Sequence, residues 1–268
     1  MPELPEVEAV CGAAHRALQG RRIVSAHVLR RRICAPQSPA QLNRAVAGRR
    51  FQAVERRGKN ILVHLEGVTV WIHLRMTGTL YAVASPPLCP PSASAYFVLD
   101  DGRALVFDDS RGLGVLRAAT REGVAGLLGP IGLDALSPDF TSERFIALAG
   151  STRAAMKNFL MDQRRVAGLG NIYAAEALHR AGIDPRRPAL QVSRMRLVRL
   201  HAAIVRLLEE ATDSARRAYR RPGGFSEGEW FRAAVYGREG LPCPRCRRPI
   251  RRTLQGGRST YFCPGCQH

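Results

Sequence analysis

Lysine is almost missing from this chain. Of its 41 basic residues only Lys59 and Lys157 are lysine, which leaves 39 arginines. Such a composition replaces lysine wherever either cation serves, and spares it where a compact, mobile ammonium is needed instead of a planar fork. Both lysines are therefore candidate functional residues. Acidic residues are also scarce, 22 against the 41 cations, so the net charge is +19. An excess of that size favours a polyanionic partner, because each neutralised phosphate releases counterions. No run of 18 apolar residues occurs, which excludes a spanning helix. No basic amphipathic helix stands out either, so nucleic acid is favoured over a membrane surface. The first residues lack a basic stretch followed by an apolar one, and the expectation is a protein of the cytosol or nucleoid. Aromatics make up only 6%, yet 46% of the 268 residues are hydrophobic, enough for a packed core and two domains.

Disulfide patterning is absent too. Cys11, Cys34 and Cys89 are scattered and read as buried free thiols. Cys243, Cys246, Cys263 and Cys266 instead form two CxxC pairs at zinc-ribbon spacing. Each pair offers two thiolates on a tight knuckle, and two knuckles complete a tetrahedral site. Four cysteine ligands leave no open position, so one structural Zn2+ is expected.

The chain opens Met1-Pro2-Glu3-Leu4-Pro5-Glu6. With the methionine trimmed, Pro2 carries a free secondary amine, and an α-amine titrates at about 7.7–8.0 against about 10.4 for lysine. A neutral amine can attack an aldehyde carbon and form an iminium. Glu3 and Glu6 supply carboxylates for proton transfer. An ordinary helix start explains the same residues, so the rest of the chain must decide.

Apolar spacing predicts a helix over 5–18 with Pro5 in its first turn. Strands are predicted at 22–30, 50–55, 61–65, 68–74, 96–100 and 103–108, the last two joined by the Asp101-Gly102 hairpin signal. Residues 85–94 are Pro-rich and read as a loop. After Gly129-Pro130 the pattern turns helical, with helices predicted at 141–149, 153–163, 171–181 and 193–211. The division expected is 2–128, a linker 129–140, a helical domain 141–225 and a zinc module 226–268. Gly168-Leu169-Gly170 opens the helix at Asn171, a natural phosphate seat with Asn171 at the cap. Met76, after a strand, is either a wedge for a base stack or a cap on the core, and Arg111 and Leu113 give a Gly-flanked loop a cation and an apolar tip.

Together these segments resemble the formamidopyrimidine-DNA glycosylase (Fpg/Nei) family of base-excision repair enzymes. The resemblance rests on PELPEVE at 2–8, RRGKNILVHL at 56–65, HLRMTGTL at 73–80, MKNFLMDQRRVAGLGNIYAAEALHRAGIDP at 156–185, and VYGREGLPCPRCRRPI with GRSTYFCPGCQ near the end. It implies an α+β protein: an N-terminal β-sandwich with a leading helix, then a helix–two-turn–helix domain with a zinc-ribbon β-hairpin. It implies Pro2 as nucleophile at the sugar C1′, Glu3 as general acid and Glu6 in support, with strand cleavage by β,δ-elimination. Lys59 and Lys157 correspond to the family's two important lysines. His73, Asn171 and Arg258 correspond to phosphate contacts, and Met76, Arg111 and Leu113 to the residues that fill the void of an extruded base. The implied partner is double-stranded DNA carrying a damaged base or abasic site, bound by a monomer.

The chain departs from the family's pattern at several positions. Leu113 stands where phenylalanine is usual, Gly112 where a second basic residue is usual, and Arg75 where glycine is usual. The 213–225 loop, expected to close over an oxidised purine, is rich in arginine: Arg216, Arg217, Arg220 and Arg221. His179 takes an apolar position. Oxidised or ring-opened purines are the expected substrates. The same chemistry on oxidised pyrimidines or abasic sites is the alternative, and a non-catalytic zinc-dependent binder of damaged DNA is the reading from another class.

Overall fold

The computed structural model describes residues 2–219 and 231–268, so Arg220 and Arg221 of the expected closing loop lie outside it. The chain divides into two compact units. One runs to Gly129 and resumes at Thr212; the other comprises Pro130–Ala211 and the residues from Gly228 onward.

The first unit begins with α1 (Leu4–Leu18), whose Leu4, Val7, Val10, Ala14 and Leu18 are buried at helical spacing. Then follow β1 (Ile23–Val28), α2 (Pro39–Val46), β2 (Phe51–Arg57), β3 (Asn60–Leu65), β4 (Val68–His73), β5 (Thr79–Val83), β6 (Ala93–Leu99), β7 (Ala104–Asp108), β8 (Val115–Ala119) and α3 (Arg121–Leu128). The strands form two four-stranded antiparallel sheets, β1-β6-β7-β5 and β2-β3-β4-β8. Helix α1 contacts β2 and β3 of one sheet and β5 and β7 of the other. Ile61, Ile72, Leu80, Val106 and Phe107 are fully buried, and each such side chain contributes about 1.5–3 kcal/mol. Of the three scattered thiols, Cys11 and Cys34 are buried as expected. Cys89 is only half-buried, because it sits beside the short 3-10 turn at Pro86–Leu88 in the Pro-rich stretch.

The second unit contains β9 (Leu133–Asp134), α4 (Ser142–Gly150), α5 (Met156–Met161), β10 (Val166–Ala167), α6 (Asn171–Ala181), α7 (Arg194–Ala218), β11 (Arg251–Gln255) and β12 (Arg258–Phe262). Strands β9 and β10 pair in parallel, and β11 and β12 form a hairpin. Helix α7 extends past the predicted end at 211, because Thr212, Ala215 and Tyr219 continue its buried stripe. Arg216 and Arg217 are therefore helical and not part of a loop. Residues up to Ala211 of α7 belong to the second unit and those from Thr212 to the first.

Candidate functional site

In the first unit, strand register gathers most of the candidate residues at one sheet end. Asn60 pairs with His73 across β3 and β4, and His73 pairs with Val115 across β4 and β8. Lys59 directly precedes Asn60, Met76 follows His73, and Leu113 precedes Val115. Three loops that are far apart in the chain thus leave the sheet side by side.

Each loop is pinned. Gly58 takes φ +58 in the two-residue turn that presents Lys59, which is 9% exposed. Arg56 donates to the Gly58 carbonyl at 3.1 Å and pairs with Glu8 of α1 at 2.8 Å. The Met76 and Arg111 loops share one buried anchor, Asp109. Its carboxylate accepts from the Thr77 hydroxyl and from the Gly114 N–H at 2.7 Å, and its carbonyl accepts from Gly112 N–H at 2.9 Å. A Cβ on Gly114 would fall 2.4 Å from Phe107, so only glycine fits that turn. Arg30 donates to the carbonyls of Asp109 and Ser110, both at 2.9 Å, and Arg32 donates to that of Arg111. Both guanidinium groups lie within 2.9 Å of where a Gly112 Cβ would stand. Two cations from a distant segment thus lie against Gly112. Met76, Arg111 and Leu113 remain exposed at the loop tips.

His73 is neutral. Burial first, then Arg75 and Lys59, lower its pKa to about 4. Its Nδ1 accepts the Arg75 backbone N–H at 3.0 Å, which leaves the ring proton on Nε2 as a donor. Arg75 itself takes φ +56, the left-handed region that glycine favours.

The start of α1 is closed by a reciprocal capping box. Glu3, the N-cap, accepts from the Glu6 backbone, and the Glu3 N–H donates to Glu6 Oε2 at 2.6 Å. Glu3 and Glu6 are 1% and 5% exposed, while Pro2, half-buried, leads into them. Two carboxylates are thereby held in place directly after Pro2.

In the second unit, the turn between α5 and α6 is held by Gln163. Its amide donates to the carbonyls of Leu169 and Met161 and accepts the Gly168 N–H. Gly170, not Asn171, is the N-cap of α6; Asn171 is the first helical residue, and its Oδ1 is buried with no partner. Lys157 is fully buried, and its ammonium donates to the Ser259 carbonyl at 2.9 Å and to Thr260 Oγ1 at 2.6 Å. It therefore grips β12 directly beside exposed Arg258, where the sequence suggested a mobile ammonium. Glu176, 2% exposed, accepts the backbone N–H groups of Ala234, Val235 and Tyr236 at 2.8–2.9 Å and ties α6 to the zinc module.

The four cysteine sulfurs all lie within 4.8 Å of one another, with Cys243 to Cys266 at 3.9 Å and Cys246 to Cys263 at 3.3 Å. Tetrahedral zinc with bonds of about 2.3 Å sets its sulfurs about 3.8 Å apart, so the donor set fits Zn2+. The Arg248 backbone N–H, then Cys263, lower the Cys246 thiol to about 7, while burial, then Cys246, push the thiols of Cys263 and Cys266 up. A Cβ on Gly265 would meet the Arg248 side chain at 2.6 Å and the Cys246 sulfur at 3.1 Å, so the knuckle packs closely against that glycine. His179 reaches Cys243 Sγ from α6 at 3.5 Å. Asp109, Arg30, Arg32, Gln163 and Glu176 carry little signal in the sequence. Their partners are mostly backbone groups, and only folding brings those within reach.

Residues 1–116 match the formamidopyrimidine-DNA glycosylase N-terminal domain, residues 131–220 the H2TH domain of the same enzymes, and residues 240–268 the zinc finger found in FPG and IleRS. The formamidopyrimidine-DNA glycosylase of Chloroflexus aurantiacus is 40% identical over all of this chain and 98% of its own. The crystal structure of MutM (Fpg) from Thermus thermophilus superposes with a TM-score of 0.85 at 37% identity, covering 99% of this chain and 98% of that one. That of Lactococcus lactis Fpg bound to Fapy-dG DNA gives 0.88 at 28% identity, covering 99% of each. Two buried carboxylates directly after Pro2, loops poised at one sheet end and a four-cysteine centre thus occur in a chain that belongs to the formamidopyrimidine-DNA glycosylase family, the base-excision repair DNA glycosylases with AP lyase activity.

Proposed function

We propose that Pro2 is the nucleophile of this enzyme and that its substrates are oxidised or ring-opened purines in duplex DNA. The proline nitrogen bonds to the sugar C1′, the glycosidic bond breaks, and the base leaves with a proton. Glu3 protonates the ring oxygen, which opens the sugar and leaves an iminium. Loss of a C2′ proton expels the 3′ phosphate, and a second elimination expels the 5′ phosphate. Glu6 keeps the first turn in register through its bond to the Glu3 N–H. Lys59 and His73 face the phosphates around the extruded nucleotide, His73 as a neutral N–H donor. Met76, Arg111 and Leu113 fill the gap in the stack, as extrusion requires. Asn171 and Arg258 hold the backbone, and Lys157 acts by fixing β12 under Arg258. Zinc supports the hairpin and takes no part in the chemistry.

The observation that carries this reading is the capping box, which buries two carboxylates directly after an N-terminal proline. A capping box alone also serves an ordinary helix start; a DNA-binding protein without catalysis has no use for a free proline amine placed beside it. A variant that keeps a residue ahead of Pro2 is expected to lose strand cleavage and borohydride trapping on abasic DNA while binding that DNA normally. Undiminished cleavage would remove Pro2 from the mechanism. Cleavage rates on 8-oxoguanine, formamidopyrimidine, thymine glycol and abasic duplexes test the substrate class. Faster excision of thymine glycol than of either purine lesion would overturn it.

A further inference from the structure

The second unit carries a cleft of about 800 Å³ at the C-terminal end of α6, bounded by the first half of α7 and the last zinc knuckle. Arg180, Arg196, Arg199, Arg206 and Arg245 line it, and no Asp or Glu does. Three of these five have a structural explanation. Arg196 donates to the Gly182 carbonyl and to a main-chain oxygen of His268, both at 2.6 Å. Arg245 lies 3.5 Å from the carbonyls of His179 and Arg180, so both cations complement the negative end of α6. Arg180 pairs with Glu210 at 2.8 Å.

Arg199 and Arg206 have no such explanation. Both are exposed, and neither forms an ion pair among the described residues. Seven positions apart on α7, they share a face and stand about 10.5 Å apart along its axis. Ala202 and Ala203 line the cleft between them, so a ligand can approach the helix closely. The crowding of cations is unfavourable without an anion: burial, then Arg187 and Arg199, push the Arg196 guanidinium below its ordinary pKa.

We propose that this cleft is a second nucleic-acid site, which takes the phosphodiester groups of a duplex segment other than the one carrying the lesion. Arg199 and Arg206 are its direct contacts, over a floor made by Arg196 and Arg245. Guanidinium forks match phosphate oxygens two at a time. The cleft lies at the opposite end of α6 from Asn171. It offers a peptide little to hold, since Met195 is its one large aliphatic side chain and it contains no Phe, Tyr or Trp.

The test uses the full chain in a one-to-one complex with a short unlabelled abasic duplex. This complex is titrated with a fluorescent undamaged duplex of about 30 base pairs, long enough for the salt dependence to report phosphate contacts. Anisotropy is expected to show binding of the second duplex, with a salt slope of about two. In Arg199→Glu/Arg206→Glu that binding should weaken at least tenfold with abasic-duplex affinity unchanged, and Arg199→Ala/Arg206→Ala should show a smaller loss in the same direction. Failure of the wild-type complex to bind the second duplex overturns the proposal, as does equal binding by the variants. Loss of abasic-duplex binding in the variants would assign these arginines to the first site. Capture of poly-glutamate in place of DNA would assign them to an acidic protein.

Discussion

Arg75 is held in a backbone conformation that L-residues avoid, at φ +56, and its N–H is committed to the His73 ring. The left-handed region costs a non-glycine residue about 1–2 kcal/mol. Arg75→Gly is therefore expected to stabilise the protein by up to about 1 kcal/mol, after the added freedom of the unfolded chain is deducted. Urea unfolding measures this, and a destabilised variant would show that the arginine side chain contributes more than its strain costs. His73 gives a pH dependence of definite sign. Its folded pKa, about 4, lies below the ordinary value of 6.5, so between those values the unfolded chain binds more protons. Stability should fall as pH is lowered from about 6.5 to 4, and His73→Gln should flatten part of that slope. As a neutral donor, His73 should add no cationic contact to DNA binding across the physiological pH range.

At the level of elements, the strongest patterns were legible and the weaker ones were not. Apolar spacing located α1, and alternation with Asp101-Gly102 located β6 and β7. Strand β8, Val115-Leu116-Arg117-Ala118-Ala119, ends in two alanines that carry no strand preference, and only its pairing with β4 makes it a strand. Helix α2 has too short an apolar stripe to stand out by spacing, and its capping box between Ser38 and Gln41 is a finding of the structure. The exposed candidates Met76, Arg111 and Leu113 could be named from local turns. That one buried carboxylate ties their two loops together could not, because Thr77 and Asp109 are 32 positions apart. Asp109→Asn puts an amide where the Gly114 N–H and the Thr77 hydroxyl donate. A loss of about 1–3 kcal/mol is expected from denaturant unfolding, together with a changed preference for the base opposite the lesion. Leu113→Phe should shift that preference with no loss of stability. An unchanged profile in both would detach these loops from lesion recognition.

At the scale of the whole molecule, metal and charge set the expectations. Cys246→Ser or chelation of zinc is expected to release the β11–β12 hairpin and with it Arg258, abolishing DNA binding while the first unit keeps its sheets. Metal content and near-ultraviolet circular dichroism check this, and full binding without metal would refute the hairpin's role. Lys157→Ala should mimic that loss in part, since the ammonium holds Ser259 and Thr260. By itself the sequence determined the four-cysteine cluster, the excess of positive charge and the order of the domains. Those depend on residue type and short spacing, which survive without coordinates. The tertiary structure decided that Lys157 is a buried clasp, that Arg30 and Arg32 hold the 109–111 backbone beside Gly112, and that α7 runs on to Ala218. Each of these depends on which backbone groups meet across long stretches of chain, and burial and hydrogen bonding fix that only once the chain has folded.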